Sequence, residues 1–171
     1  MPSLYLGLGA NLGNRLRNLQ AGLRALAPAA RTLVVSSLYE TEPVGSVGQP
    51  PYWNAVARVE TALTLSDLLA LLKRVERQMG RRPGPRWGPR PLDLDILLAD
   101  LVVQTPDLVV PHPRLAERPF VLVPLAELAA DVVHPLLRRS IGELRAQAGE
   151  EGVRRLTGPE WLSARDLRSR R

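Results

Sequence analysis

The 171-residue sequence contains no cysteine. Disulfide frameworks, thiolate metal sites and cysteine nucleophiles are therefore excluded. Lysine is nearly absent too: of 23 basic residues, Lys73 is the sole lysine and the rest are arginine. Aromatic residues are scarce, at three Trp, three Tyr and one Phe, which leaves few rings on which a run of bases can stack. No apolar stretch approaches the ~20 residues of a membrane helix. The N-terminal apolar run lacks a basic leader and is broken by Asn11 and Gly13. These absences favour a cytoplasmic protein with no membrane partner.

What is present is an ordinary globular composition, 45% hydrophobic, on a chain long enough for one substantial core. We find no repeat and no interdomain linker, so residues 1–171 are expected to form a single domain. The net charge is +6, and the arginines are unevenly spread. Arg74, Arg77, Arg81, Arg82, Arg86 and Arg90 crowd one stretch, and a second group occupies the tail from Arg154 to Arg171. Guanidinium forks grip phosphate oxygens bidentately. Charge alone leaves nucleic acid, a nucleotide and an anionic membrane open as partners.

Apolar periodicity places a buried strand at Ser3–Gly9, then a helix carrying Leu16, Leu19, Leu23 and Leu26, with Asn11 or Asn14 as its cap. A second strand is predicted over Leu33–Thr41 and a third over Asn54–Thr61, separated by the Gly- and Pro-rich segment Pro43–Pro51. A helix follows, capped by Ser66, with an apolar stripe of Leu68, Leu69, Leu72, Val75 and Met79, and Gly80 stops it. Residues 81–91 are loop. Pro91–Leu98 reads as a strand, Leu101–Val103 as its hairpin partner, and Phe120–Leu125 as a further short strand. The order of elements implies an α+β fold, a largely antiparallel sheet with helices packed on it.

Residues two apart on a strand share a face. Asp93 and Asp95 therefore point one way, while Leu92, Leu94 and Ile96 point to the core. Two carboxylates about 6 Å apart repel by about 3 kcal/mol at an effective dielectric near 20. A raised pKa on one of them, or a divalent cation between them, offsets that repulsion. Magnesium prefers a few carboxylates together with water and substrate phosphates. A bare D-x-D also suits an exposed edge strand, but here it follows a loop bearing Arg86, Trp87 and Arg90. The combination points to a magnesium-bound polyphosphate, with ATP the first choice. Tyr52, Trp53 and Asn54 offer a second wall, where an amide beside aromatics can read a flat heterocycle, and Phe120 can stack on such a ring. His112, fixed between Pro111 and Pro113, is either a satisfied turn residue or a phosphate contact. Gly7, Gly9 and Gly13 miss the dinucleotide-binding spacing; a tight strand-to-helix turn is the better account, with a secondary role as pocket floor.

Five segments, LYLGLGANLGN (4–14), SSLYETEP (36–43), QPPYWNA (49–55), RWGPRPLDLDIL (86–97) and PHPRLAERPFVLVPL (111–125), run in order through residues 4–137. Together they resemble the 6-hydroxymethyl-7,8-dihydropterin pyrophosphokinase family. The resemblance implies a ferredoxin-like α+β sandwich that moves the β,γ-pyrophosphate of ATP to the pterin hydroxymethyl group in folate synthesis. Asp93 and Asp95 would bind two Mg²⁺ ions. Glu76, Arg81, Trp87, Arg90, Ile96, His112 and Arg118 would serve ATP, with Arg81 and Arg90 acting alongside the acidic pair in catalysis. Thr41, Pro43, Val44, Tyr52, Asn54, Trp87 and Phe120 would form the pterin pocket. The resemblance also implies a monomer that binds no nucleic acid. It does not extend to the basic segment 138–171. Two rival functions fit parts of the pattern: a two-metal nucleotidyltransferase, and a basic RNA-binding module of the same fold.

Overall fold

Alternation along the first strand sets the architecture. The structure, a computed structural model, describes residues 2–43, 48–80, 84 and 89–167. In β1 (Ser3–Ala10), Leu4, Leu6, Leu8 and Ala10 are buried on one side, and Tyr5, Gly7 and Gly9 alternate with them. Helix α1 (Arg15–Leu26) begins at Asn14, whose side chain accepts the Arg17 N–H. Asn11 is not the cap. The turn between strand and helix is carried by Gly13, at φ 71°, a region that disfavours a Cβ.

Leu33–Thr41 is two strands rather than one, β2 (Ala30–Val35) and β3 (Leu38–Thr41), both paired antiparallel to β4 (Tyr52–Thr61). Ser36 and Ser37 make the break, because their polar groups satisfy backbone across the gap. The Ser36 hydroxyl accepts the Val56 N–H at 2.9 Å and donates to Ser37 O at 2.8 Å. Helix α2 (Leu65–Gln78) is capped by Thr64, not by Ser66. Its buried stripe is Leu68, Leu71, Leu72, Val75 and Glu76; of the expected set, Leu69 and Met79 are only partly buried against the core.

β5 (Asp93–Leu98) pairs with β1. Leu101–Val103 does not fold back on it. Instead β6 (Val103–Gln104) pairs with β7 (Val109–Val110), leaving Leu101 and Val102 exposed. Phe120–Leu125 is helical, within α3 (Pro119–Ala129). The run FVLVPL looks strand-like because it is apolar on every side, yet such a segment also suits a helix buried between layers. Pro119 at the helix start presets φ and has no N–H to leave unpaired.

α4 (Ile141–Ala148), β8 (Val153–Thr157) and α5 (Ala164–Leu167) complete the described chain. The main sheet runs β5-β1-β4-β3-β8, with β2 also on β4, and every pair is antiparallel. One face packs Leu19, Leu23, Leu68 and Leu72 of α1 and α2 against Leu6, Leu8, Leu94 and Ile96. The other packs Leu122, Leu125, Ile141 and Leu144 of α3 and α4 against Val56, Leu97 and Leu98. This is the antiparallel α+β fold expected from the order of elements, in the sandwich form that the family resemblance implies. Among the described residues no helix is long and apolar enough to cross a membrane.

Candidate active site

The helix-covered second face stops short of the C-terminal end of β1, and there the sheet lies open. Asp93 stands opposite Gly9 and Asp95 opposite Gly7 across the β1–β5 pairing. On the other side of β1, Asn54 stands opposite Gly9 and Val56 opposite Gly7. Directly paired residues share a face, so the two glycines lie between the acidic pair and Asn54. A single cleft is lined by Gly7, Gly9, Asn54, Asp93, Asp95, Arg118 and Phe120. The missing side chains form its floor. A Cβ on Gly9 would lie 2.7 Å from Asn54 Oδ1, and one on Gly7 would lie 3.2 Å from the Leu97 side chain. The pocket-floor role is thus the main one for these two glycines, and the turn belongs to Gly13.

Burial, reinforced by the charge of Asp93, pushes the Asp95 carboxyl up to about 6. Arg90 Nη1 lies 3.2 Å from Asp93 Oδ1. Arg118, at the start of α3, is half-buried; burial and the neighbouring Arg114 hold its guanidinium below the usual arginine value, while Asp95 and Asp93 oppose that shift. Its charge sits 5.6 Å from the Phe120 ring centroid. Burial pushes His112 down to about 4, with Arg118 adding to the effect. Its Nδ1 accepts the Arg114 N–H at 3.2 Å, so the neutral ring carries its proton on Nε2, a donor. His112 is a satisfied turn residue on one nitrogen and can still serve a phosphate through the other.

Among the described residues, no three or more acidic or histidine side chains converge as a metal cage. An all-protein cage is not what magnesium needs when a polyphosphate supplies the other oxygens. Two hard carboxylates on one strand face, one of them raised in pKa by burial and by the charge of the other, suit that ion.

Two expected ATP contacts occupy other places. Ile96 is 4% exposed and packs in the α1–α2 core, so its side chain is on the wrong face to meet adenine. Glu76 is 1% exposed, and its carboxylate accepts the Leu94 N–H at 2.8 Å. It therefore braces β5 from behind the acidic pair. Among the residues expected at the pterin, Asn54 Nδ2 donates to Thr41 Oγ1 at 2.5 Å, which turns Oδ1 towards Gly9. Tyr52 Cδ1 lies 3.6 Å from the position of a Gly9 Cβ, and Pro43 is half-buried. Trp53, expected in the second wall, points away, under Arg15 at 4.6 Å and hydrogen-bonded to Glu40, and packs against the core. Val44, Arg81 and Trp87, with Arg82 and Arg86, lie outside the described residues. Asn11, read from the sequence only as a candidate cap, is tied instead to the loop segments beside the cleft. It is 1% exposed and bonds to Gln49, Pro50 and Arg90, partners too distant in sequence for periodicity to reveal.

The fold and this cleft define a class: an α+β sandwich whose sheet presents an acidic pair and arginines to a phosphate-bearing substrate. Comparison with known proteins is more specific. The family described as 7,8-dihydro-6-hydroxymethylpterin-pyrophosphokinase (HPPK) matches residues 5–130, and the chain belongs to it. It is 44% identical over 138 residues to the 2-amino-4-hydroxy-6-hydroxymethyldihydropteridine pyrophosphokinase of Haemophilus influenzae, covering 79% of this chain and 86% of that one. The Pseudomonas aeruginosa protein of that name is 43% identical over 158 residues, covering 91% and 97%. The Aquifex aeolicus one is 36% identical over 148 residues, covering 86% and 92%. Among solved structures, a Plasmodium falciparum HPPK-DHPS chain superposes with a TM-score of 0.72 at 15% identity. It supports the fold alone; 91% of this chain is covered, and the chain spans 47% of that longer one.

Proposed function

We propose that the cleft over Gly7 and Gly9 carries out the family's reaction, transfer of pyrophosphate from ATP to 6-hydroxymethyl-7,8-dihydropterin, a step of folate biosynthesis. The observation that carries this reading is the pairing Asp93–Gly9–Asn54 across three strands. It sets a carboxylate and an amide on either side of a floor without side chains, an arrangement that suits a polyphosphate beside a flat heterocycle. The pterin hydroxyl oxygen forms a bond to the β-phosphorus in line with the bond from that phosphorus to the α,β-bridging oxygen. That bond breaks, AMP leaves, and the hydroxyl proton passes to solvent. No strong general base is required, because alignment and charge neutralisation dominate such transfers.

In this reading Asp93 and Asp95 would hold two Mg²⁺ ions, which supply charge neutralisation on the polyphosphate. Arg90 and Arg118, with Arg81, contact phosphate oxygens, and His112 Nε2–H donates one further bond. Asn54 Oδ1 accepts from a donor on the pterin edge, the ring lies against Phe120, and Thr41, Pro43, Val44, Tyr52 and Trp87 enclose it. Glu76 acts through β5, whose Leu94 amide it holds. The protein is read as one domain and a cytoplasmic monomer, with no nucleic-acid or membrane partner.

The test is direct. Incubation with ATP, Mg²⁺ and the hydroxymethyl dihydropterin should yield AMP and the pterin diphosphate in equal amounts. Release of inorganic pyrophosphate instead would assign the acidic pair to a nucleotidyltransferase. RNA binding without any turnover of ATP would remove the enzyme reading altogether.

A further inference from the structure

We infer that Asn11 is a positioning residue that ties the two halves of the cleft together, so that occupation of one half alters affinity at the other. The inference rests on the functional reading above, which names those halves.

Asn11 lies just past β1, between the cleft floor at Gly9 and helix α1. It is 1% exposed, and its side chain and its backbone N–H are both engaged. The backbone N–H donates to Arg90 O at 3.0 Å, and the side-chain Oδ1 accepts the Arg90 N–H at 2.8 Å. On its other side, Nδ2 donates to Gln49 Oε1 at 3.1 Å and to Pro50 O at 3.3 Å. The orientation of the amide is not arbitrary. A backbone N–H on one side demands an oxygen, and a backbone carbonyl on the other demands an N–H. Aspartate would keep the bond to Arg90 and set a carboxylate oxygen against the Pro50 carbonyl oxygen, with Gln49 forced to turn its amide. An aliphatic residue would make neither the bond to the Arg90 N–H nor the bond to the Pro50 carbonyl.

Both partners lead directly to the site. Arg90 Nη1 reaches Asp93 Oδ1 at 3.2 Å. Pro50 precedes Pro51, whose carbonyl oxygen accepts from Arg15 Nη1 at 2.7 Å, and Tyr52 then opens β4. A continuous hydrogen-bonded path thus runs Asp93–Arg90–Asn11–Pro50, and from there along the backbone to Tyr52. Any shift of Arg90 caused by a polyphosphate at Asp93 is passed through one rigid amide to the pterin-side wall. Coupling of this kind is reciprocal.

The experiment is equilibrium binding of the hydroxymethyl dihydropterin, with and without Mg²⁺ and α,β-methylene-ATP, whose bridging carbon prevents release of AMP. It is made on the wild type, Asn11→Asp and Gln49→Ala, with melting temperatures measured in parallel. In the wild type the nucleotide analogue should tighten pterin binding by about 10-fold. In Asn11→Asp that ratio should fall to near one, while affinity for the analogue alone is retained. Gln49→Ala, which removes one tie and buries no new charge, should lose part of the ratio, and it decides the matter if Asn11→Asp does not fold. A folded Asn11→Asp with the wild-type ratio overturns the inference. So does a variant in which pterin affinity drops equally with and without the analogue, the mark of a merely structural residue. A wild type that binds both ligands independently overturns the inference and leaves the enzyme reading standing. A wild type that binds neither ligand overturns both.

Discussion

The two faces of strands β1, β4 and β5 are made from alternate residues of the same backbone, yet they have little in common. One carries Leu6, Leu8, Ala55, Ala57, Leu94 and Ile96, all buried under α1 and α2. The other, at the same end of the sheet, carries Gly7, Gly9, Asn54, Asp93 and Asp95 and is left open. The period of two thereby separates stability from chemistry at a distance of one residue. The sealed face holds the strands in register. The open face can then keep two carboxylates together, an arrangement that by itself opposes folding. Substitutions on the two faces should accordingly fail in different ways.

The largest effect is expected at Asp95. Asp95→Ala should lower kcat by about 10³-fold or more, the scale of losing a main electrostatic element of a transfer site. Its melting temperature without Mg²⁺ should not fall, because the substitution removes a buried carboxyl repelled by Asp93. Wild-type turnover in this variant would end the assignment of the acidic pair to the reaction. A lowered melting temperature would show that the open face also carries stability, and would blur the contrast.

Gly9→Ala comes next. The added Cβ would meet Asn54 Oδ1 at 2.7 Å, so the amide must turn away from the cleft. We expect kcat/KM for the pterin to fall by about 10²-fold, the cost of misplacing a substrate by about an ångström, with ATP affinity unchanged. Gly7→Ala makes a sharper comparison. Its Cβ meets the flexible end of Leu97 at 3.2 Å, so it should be milder than Gly9→Ala in steady-state kinetics. Equal losses at the two positions would mean that the floor is filled by any methyl group, regardless of Asn54.

How far this contrast is legible from sequence follows from the range of the interactions that make it. Strand period is local, so the shared face of Asp93 and Asp95 and the burial of Leu94 and Ile96 can be read directly. That same period also shows Ile96 to be a core residue, although the family resemblance put it among the residues that serve ATP. Helix α3 was misread because a segment apolar on all sides has no informative period; Pro119 was the available signal. Ser36 and Ser37 split a strand through bonds to Val56 and to Glu127 of α3, which no local pattern reveals. β8 finds its place only by pairing with β3, more than a hundred residues earlier. Asn11 is the clearest case. As a sequence position it is a candidate helix cap, and its partners at Gln49, Pro50 and Arg90 become visible only in the folded chain.

On the sealed face, Leu6→Ala tests the other half of the contrast. Leu6 is 0% exposed, and its truncation should cost about 3 kcal/mol in unfolding free energy, within the range for buried leucines. Denaturant titration measures that loss. The kcat per folded molecule should remain at the wild-type value. A fall in kcat larger than the folded fraction explains would show that the sealed face shapes the site, and that the separation by period is incomplete.

The smallest effect concerns pH, at the rim of the open face. His112 has a folded-state value of about 4, below the ordinary histidine value near 6.5. Between those limits the unfolded chain binds more protons than the folded one, so this group makes stability rise with pH. Its contribution is complete above about 6.5 and is lost progressively as the pH falls towards 4. His112→Asn offers an oxygen to the Arg114 N–H in place of Nδ1 and cannot titrate. The melting temperature of the variant should therefore decline less than that of the wild type between pH 6.5 and pH 4. Because the wild-type ring is already neutral at pH 7, any loss of ATP affinity in the variant at that pH reports the missing Nε2–H donor and not a missing charge. Salt distinguishes the two: a lost hydrogen bond should leave the affinity ratio of variant to wild type unchanged as ionic strength rises, whereas a lost charge should make that ratio approach one.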